Sequence, residues 1–112
     1  MDECLFCRIV NGEIPATRVY EDDAAIAFED INPQAPHHVL VVPRRHVGGV
    51  AELAPADAEL FGRVALAARA VAAARGLSDY RLVVNNGRGA GQTVFHLHVH
   101  LLAGRPLGWP PG

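Results

Sequence analysis

His96-Leu97-His98-Val99-His100-Leu101-Leu102 is the stretch on which the fold turns. Histidines alternate with apolar residues, and a period of two marks a strand with one face in a core. The alternation predicts a strand over Val94 to Leu102. Three imidazoles then line one face, based roughly 6.8 Å apart by strand rise, while Leu97, Val99 and Leu101 pack on the other.

Before this strand lies the loop Gly87-Arg88-Gly89-Ala90-Gly91-Gln92-Thr93, preceded by a predicted strand over Tyr80 to Asn86. From Pro55 to Arg75, Leu60, Val64, Ala67, Ala68 and Val71 recur at helical spacing. Pro55 fits the first turn and Gly76 the position just past the end, so this is the one long helix. The apolar run His38-Val39-Leu40-Val41-Val42 reads as a strand buried on both faces and ended by Pro43. Thr17 to Glu21 and Ala24 to Asp30 read as a hairpin turning at Asp22-Asp23. Phe6 to Val10 reads as a short helical turn stopped by Asn11-Gly12, and Ile14-Pro15 forces an extended exit.

Strands bunched on both sides of one long helix, without regular β-α-β alternation, predict an α+β fold. We expect a five-stranded, mainly antiparallel sheet with one long helix and a short N-terminal helix. No internal repeat or low-complexity linker interrupts the 112 residues, so residues 1–112 are expected to form one domain.

Half the residues are apolar, enough for a core without cross-links. No run of about 18 apolar residues suggests a membrane span, and Met1-Asp2-Glu3-Cys4 lacks the basic start of a secretory signal, so a soluble cytoplasmic protein is expected. The net charge is −2, and the ten basic side chains, all arginines, are scattered. That pattern speaks against nucleic acid and membranes as partners and for small molecules or another protein.

Three titratable rings in a row invite like-charge repulsion if all protonate, so the row implies something bound or attacked. Neutral imidazole attacks phosphorus well at pH 7, and a phosphohistidine intermediate would divide a displacement into two steps. His98, the middle ring, is the natural attacker. Its neighbours would orient it, hydrogen-bond phosphate oxygens and supply a proton to the leaving group. The glycine loop could bring backbone N–H groups close to a phosphate, with Gly89, Gly91 and the Thr93 hydroxyl as candidates, although such glycines also make ordinary hairpin turns.

The His96 to Leu102 stretch resembles the His-φ-His-φ-His-φ-φ signature of the histidine-triad (HIT) superfamily, φ being apolar. Phe28-Glu29-Asp30-Ile31-Asn32-Pro33-Gln34-Ala35-Pro36, Val84-Asn85-Asn86-Gly87, Gly91-Gln92-Thr93 and Trp109-Pro110-Pro111-Gly112 are similar to the Hint branch, the histidine-triad nucleotide-binding proteins. The likeness runs from about Leu5 to the last residue. It implies that His98 becomes nucleotidylated, that His100 and His96 flank it and that His38 supports them. It further implies that Asp30 holds the ribose hydroxyls beside Ile31, and that Phe6, Ile9, Ile14 and Phe28 wall the base. Asn85, Gly91 and Thr93 match groups around the phosphate and leaving atom, with Gln92 in the same nucleotide-binding segment.

The branch's activity is cleavage of the P–N bond of purine nucleoside phosphoramidates by homodimers, with the carboxy-terminal tail near the partner's site. The resemblance therefore implies AMP or GMP and their phosphoramidates as ligands, a homodimer, and a part for Trp109 in choosing the leaving group. Thr93 stands where many Hint proteins have serine, and Glu29, His37 and Asn86 occupy positions that differ in the better-known animal members.

Cys4-x-x-Cys7, with His46 and His96, offers two thiolates and two imidazoles, a set suited to closed tetrahedral zinc. Zinc-carrying relatives in the superfamily pair these four positions, so a structural zinc is expected, with no cofactor required for catalysis. The bland reading is two reduced cysteines in the opening turn. Three other functions compete with the phosphoramidase: a dinucleoside polyphosphate hydrolase, against which the Trp109 tail speaks; a non-catalytic nucleotide-binding scaffold; and a histidine row acting as a catalytic metal site, which chelation would silence.

Overall fold

Five short strands and two helices organise the computed structural model, which describes residues 4–112. The reading of the opening segment Met1-Asp2-Glu3 lies outside the described residues. In chain order the elements are α1 (Leu5–Val10), β1 (Arg18–Glu21), β2 (Ala25–Glu29), β3 (His37–Pro43), α2 (Ala58–Ala74), β4 (Arg81–Val83) and β5 (Val99–Ala103). The strands lie in the order β1-β2-β3-β5-β4 and every pairing is antiparallel. The fold is α+β, with one long and one short helix on a five-stranded sheet, as expected.

The β1–β2 hairpin is built by its turn. Asp22 Oδ1 accepts from the Ala24 and Ala25 N–H groups, each at 2.8 Å, and Tyr20 Oη donates to Asp22 Oδ2 at 2.8 Å. The side chain thereby stands in for the missing backbone pairs. The helix predicted from Pro55 opens as a 3₁₀ turn over Pro55–Asp57 and becomes α-helical at Ala58. Gly76 follows its end at φ +67°, a left-handed residue that glycine adopts without a Cβ clash.

Two apolar layers follow from strand alternation. On one face of the sheet Ala25, Ala27, Val39, Val41, Val99 and Leu101 meet Val64, Ala67, Ala68, Val71 and Ala72 of α2. On the other, Ile26, Phe28, Leu40 and Val42 meet Phe6 and Ile9 of α1. Small residues on the helix let it approach the sheet closely, and the bulkier second layer is the one beside the histidines. Among the described residues no helix is long and apolar enough to cross a membrane.

The final strand is shorter than its alternation predicts. Pairing with β3 begins at Val99 opposite Val41, so His96 and His98 precede the strand. The cause is competition from the end of β3 and the loop after it: the Leu97 N–H donates to the Val47 carbonyl at 2.6 Å, and the His96 ring donates from Nε2 to the Pro43 carbonyl at 2.9 Å. Those bonds bend the chain over residues 94–96. The strand β4 is likewise cut to three residues, and Asn86, predicted within it, instead accepts from the Ala51 N–H through Oδ1 at 2.8 Å.

Candidate active site

His100 and Leu40 pair across β5 and β3, and His38 lies one diagonal step away, so the sheet delivers two imidazoles to its α1-facing side. The ring centres of His98 and His100 are 5.0 Å apart and those of His38 and His100 5.2 Å apart. The third ring of the predicted row is elsewhere. His96 is fully buried and turned toward the cysteines, with Phe6 standing edge-on to both His96 and His98. The single-face row of three is thus corrected to a pair, His98 and His100, because the bend before Val99 removes His96 from the strand's alternation.

A cavity of about 370 Å³ opens in front of this pair. Its walls include Phe6, Ile9, Ile14, Phe28 and Leu40, its rim Asp30 and Ile31, and its far end Thr93, His98 and His100. Leu40, Pro15 and Ala16 also line it and were not singled out from sequence. Leu40 could have been found, since it is two residues from His38 on a strand. A wider, open hollow of about 640 Å³ between Gly76–Arg81 and Gly104–Leu107 holds no histidine or cysteine.

Four predicted nucleotide-binding residues do not line the 370 Å³ cavity: Asn85, Gly91, Gln92 and Trp109. Gln92 is buried with its amide already engaged, Nε2 donating to the Gly48 and Val94 carbonyls and Oε1 accepting from the Gly87 N–H. It ties the glycine loop to the loop that carries His46. Gly91 sits at φ +101° with the Asn85 amide 3.7 Å from where a Cβ would be, so both shape the loop. Trp109 is 83% exposed.

Hydrogen bonds assign the protons on the rings. The Gln34 N–H donates to His38 Nδ1 at 3.0 Å, so neutral His38 carries its proton on Nε2. That nitrogen lies 2.9 Å from His100 Nδ1 and 3.3 Å from Asp30 Oδ2. His100 therefore accepts at Nδ1 and keeps its own proton on Nε2. His98 donates from Nδ1 to the His96 carbonyl at 2.7 Å, which leaves the lone pair on Nε2.

All three signature rings are held neutral at pH 7. Burial lowers the pKa of His98, against the raising effect of its bond to the His96 carbonyl and of Asp30. Burial, then the His98 and His38 rings, bring His100 down to about 4, with Asp30 opposing. Burial likewise lowers His96, although the Pro43 carbonyl pulls the other way.

Cys4, Cys7, His46 and His96 converge beside α1. His96 Nδ1 lies 3.5 Å from each sulfur and 3.3 Å from His46 Nδ1, and Cys7 Sγ is 3.3 Å from His46 Nδ1. A tetrahedral zinc with bonds of about 2.0 Å to nitrogen and 2.3 Å to sulfur spaces N/S pairs about 3.5 Å and N/N pairs about 3.3 Å apart. The set fits. The Pro43 carbonyl holds the proton of His96 on Nε2 and so aims its free Nδ1 at the cluster, an outer-shell bond of the kind that orients metal-binding histidines. Burial, with the Cys4 sulfur beside it, pushes the Cys7 thiol up to about 11. Zinc binding there must therefore displace its proton.

Comparison with known proteins places this geometry in context. The family model described as the HIT domain matches residues 11–107. A HIT-like protein of Synechocystis is 51% identical over 112 residues, covering 99% of this chain and 98% of its own length. A maize protein named as a 14 kDa zinc-binding protein is 47% identical over 111 residues, covering 96% and 87%. The crystal structure of a HIT family hydrolase from Legionella pneumophila superposes with a TM-score of 0.95 at 49% identity, covering 98% of this chain and all of that one. A HIT family hydrolase from Clostridium thermocellum superposes at 0.93 with 45% identity over 96% of both chains. With a family match across most of its length and relatives near half identical from end to end, the chain belongs to the HIT domain family.

Proposed function

We propose that this protein is a nucleotide hydrolase that cleaves the P–N bond of purine nucleoside phosphoramidates through a nucleotidyl adduct on His98. The observation that carries the reading is the bond from His98 Nδ1 to the His96 carbonyl, on a ring that lines the cavity. It leaves Nε2 as a lone-pair donor, and the lowered pKa keeps that pair free at pH 7.

The apolar walls Phe6, Ile9, Ile14, Phe28 and Leu40 offer a flat base a surface to stack on without reading its edges, which suits adenine and guanine alike. At the rim, ionised Asp30 is an acceptor for the two ribose hydroxyls. Between them the α-phosphorus faces His98. Nε2 attacks phosphorus, the P–N bond breaks, and the amine leaves with a proton from solvent. Water then attacks phosphorus, the Nε2–P bond breaks, and the nucleoside monophosphate departs as the proton is returned.

His100, neutral with its proton on Nε2, hydrogen-bonds a phosphate oxygen. A group with a pKa of about 4 is a poor proton source at pH 7, so the flanking ring serves as an electrostatic donor rather than the acid expected from sequence. His96 acts through its carbonyl, while its ring belongs to the zinc ligands Cys4, Cys7, His46 and His96. The zinc, when bound, holds the start of α1 against the segment before β5, and the chemistry runs without it.

The same reading makes the protein a cytoplasmic homodimer. The edge strand β4 exposes Leu82 and α2 exposes Leu66, apolar positions suited to a second copy, and a reducing compartment keeps Cys4 and Cys7 available as ligands. Sedimentation at micromolar concentration reads the dimer directly. The function is tested by incubating the protein with adenosine and guanosine phosphoramidates and searching for a nucleotidyl adduct by mass spectrometry. An adduct on His98 supports it, and turnover without any His98 adduct after rapid alkaline quench, which preserves the imidazole P–N bond, overturns it.

A further inference from the structure

On the α2 side of the sheet three polar residues meet where the strands end, one of which, Glu29, also borders the cavity. Arg75, at the C-terminal end of α2, donates from Nη2 to Glu29 Oε2 at 2.5 Å and from Nη1 to His37 Nδ1 at 3.1 Å. Glu29 closes β2 and His37 opens β3. Their neighbours in sequence are Asp30 and His38, and side chains of consecutive strand residues point to opposite faces. One guanidinium thus grips two strand ends from the helix side, just where the next residue of each turns toward the cavity.

We propose that Arg75 is a positioning residue for the Asp30–His38–His100 cluster. This rests on the phosphoramidate reading above only for the identity of the ligand. The Asp30 N–H donates to the His38 carbonyl at 3.0 Å, so the two residues share a backbone pair as well as the 3.3 Å contact between Asp30 Oδ2 and His38 Nε2. Spreading the strand ends lengthens both, and with them the 2.9 Å contact from His38 to His100. Arg75 is held in place in turn by its own N–H on the Val71 carbonyl, so α2 is the anchor. The planar fork matters because it reaches a carboxylate and an imidazole at once, and a lysine ammonium on this stem would hold one partner. His37, with Nδ1 accepting from arginine, is the second handle and otherwise faces Gly104 beyond β5.

The test compares R75A, R75K and E29Q with R63Q, which removes an ion pair to Asp22 and Asp23 at the other side of the fold. The E29Q chain keeps the shape of the cluster and guards against R75A failing to fold. Two quantities are read on zinc-loaded protein: the ¹⁵N and ring-proton NMR signals that report the tautomers of His38 and His100, and the Kd for AMP by calorimetry. The expected result is that R75A and E29Q shift the His38 and His100 ring signals and weaken AMP binding about fivefold to twentyfold. R75K should fall between, and R63Q should leave both within twofold of the parent while lowering Tm. A folded R75A or E29Q chain whose ring signals stay in place, or whose Kd stays within twofold, overturns the proposal whatever its Tm. If the parent chain binds no AMP, the nucleotide reading fails, and the ring signals alone still decide the clamp.

Discussion

His98 Nδ1 and the backbone carbonyl of His96, two residues apart, are joined by a 2.7 Å hydrogen bond, and Nδ1 is the donor. That bond decides which nitrogen of the ring is free to react. It also links the cavity to the cysteine–histidine cluster, since the residue whose carbonyl receives the proton has its own ring among Cys4, Cys7 and His46.

Replacing His98 by alanine removes the attacking lone pair and leaves every base-wall side chain present, although Phe6 loses one edge-on partner. Turnover of an adenosine phosphoramidate should fall at least about 10³-fold, equivalent to about 4 kcal/mol of barrier, while the Kd for AMP changes by less than about fivefold. Steady-state kinetics and calorimetry check this, and near-normal turnover by H98A rules out the covalent route.

Asp30 is read as the ribose acceptor, so its effect should depend on the sugar. D30N should raise KM for a ribonucleoside substrate about tenfold, about 1.4 kcal/mol, and lose most of the parent's preference over the 2′-deoxy analogue. Because Asp30 Oδ1 also accepts from the Asn32 N–H at 2.8 Å, the ratio of the two sugars is the informative quantity rather than either KM. An unchanged ratio removes Asp30 from the ribose site.

His100 titrates near 4 in the folded chain against about 6.5 in an unfolded one. Between those values the unfolded chain binds more protons, so the ring's contribution to stability is complete above about pH 6.5 and is lost as pH falls toward 4. Urea midpoints should drop across that window, above the range where the depressed carboxylates Asp22 and Asp57 take over. Substituting His100 by glutamine should flatten the slope, and NMR should show the parent ring neutral at pH 5.5. A ring that protonates near 6.5 contradicts the burial argument.

Zinc should be present at about one equivalent per chain when the protein is prepared without chelator. Its affinity should rise with pH, because ligation expels the proton from the Cys7 thiol, which burial holds protonated. C7S should lose the metal and several degrees of Tm, and chelation of the parent should lower Tm while turnover at a temperature well below Tm persists. Metal content under a tenth of an equivalent retires the site, and immediate loss of turnover on chelation with the fold intact would mean that catalysis needs the ion.

The sheet was readable because period two is a local property. His37–Pro43 shows burial on both faces, and Val99–Ala103 alternates as its residues do. The long helix was readable for the same reason at period 3.6, except that the first turn after Pro55 is 3₁₀. What alternation mispredicted was extent. Nothing within residues 94–98 announces that Val47 and Pro43 will compete for their hydrogen bonds.

Local pattern and residue chemistry therefore determined the α+β fold, the histidine-rich segment and the Cys4-x-x-Cys7 pair, whereas His46 and His96 were joined to that pair by the family resemblance and meet it only in the folded chain. Tertiary structure alone divided the labour among the histidines. His98 and His100 face a cavity, His96 joins the cysteines, and His37 and His38 sit on opposite sides of one strand, the former held by Arg75. The physical reason is distance along the chain: the partners that hold His37, the ring of His96 and the His38–His100 contact are many residues away in sequence, and such partners leave no mark on the local alternation.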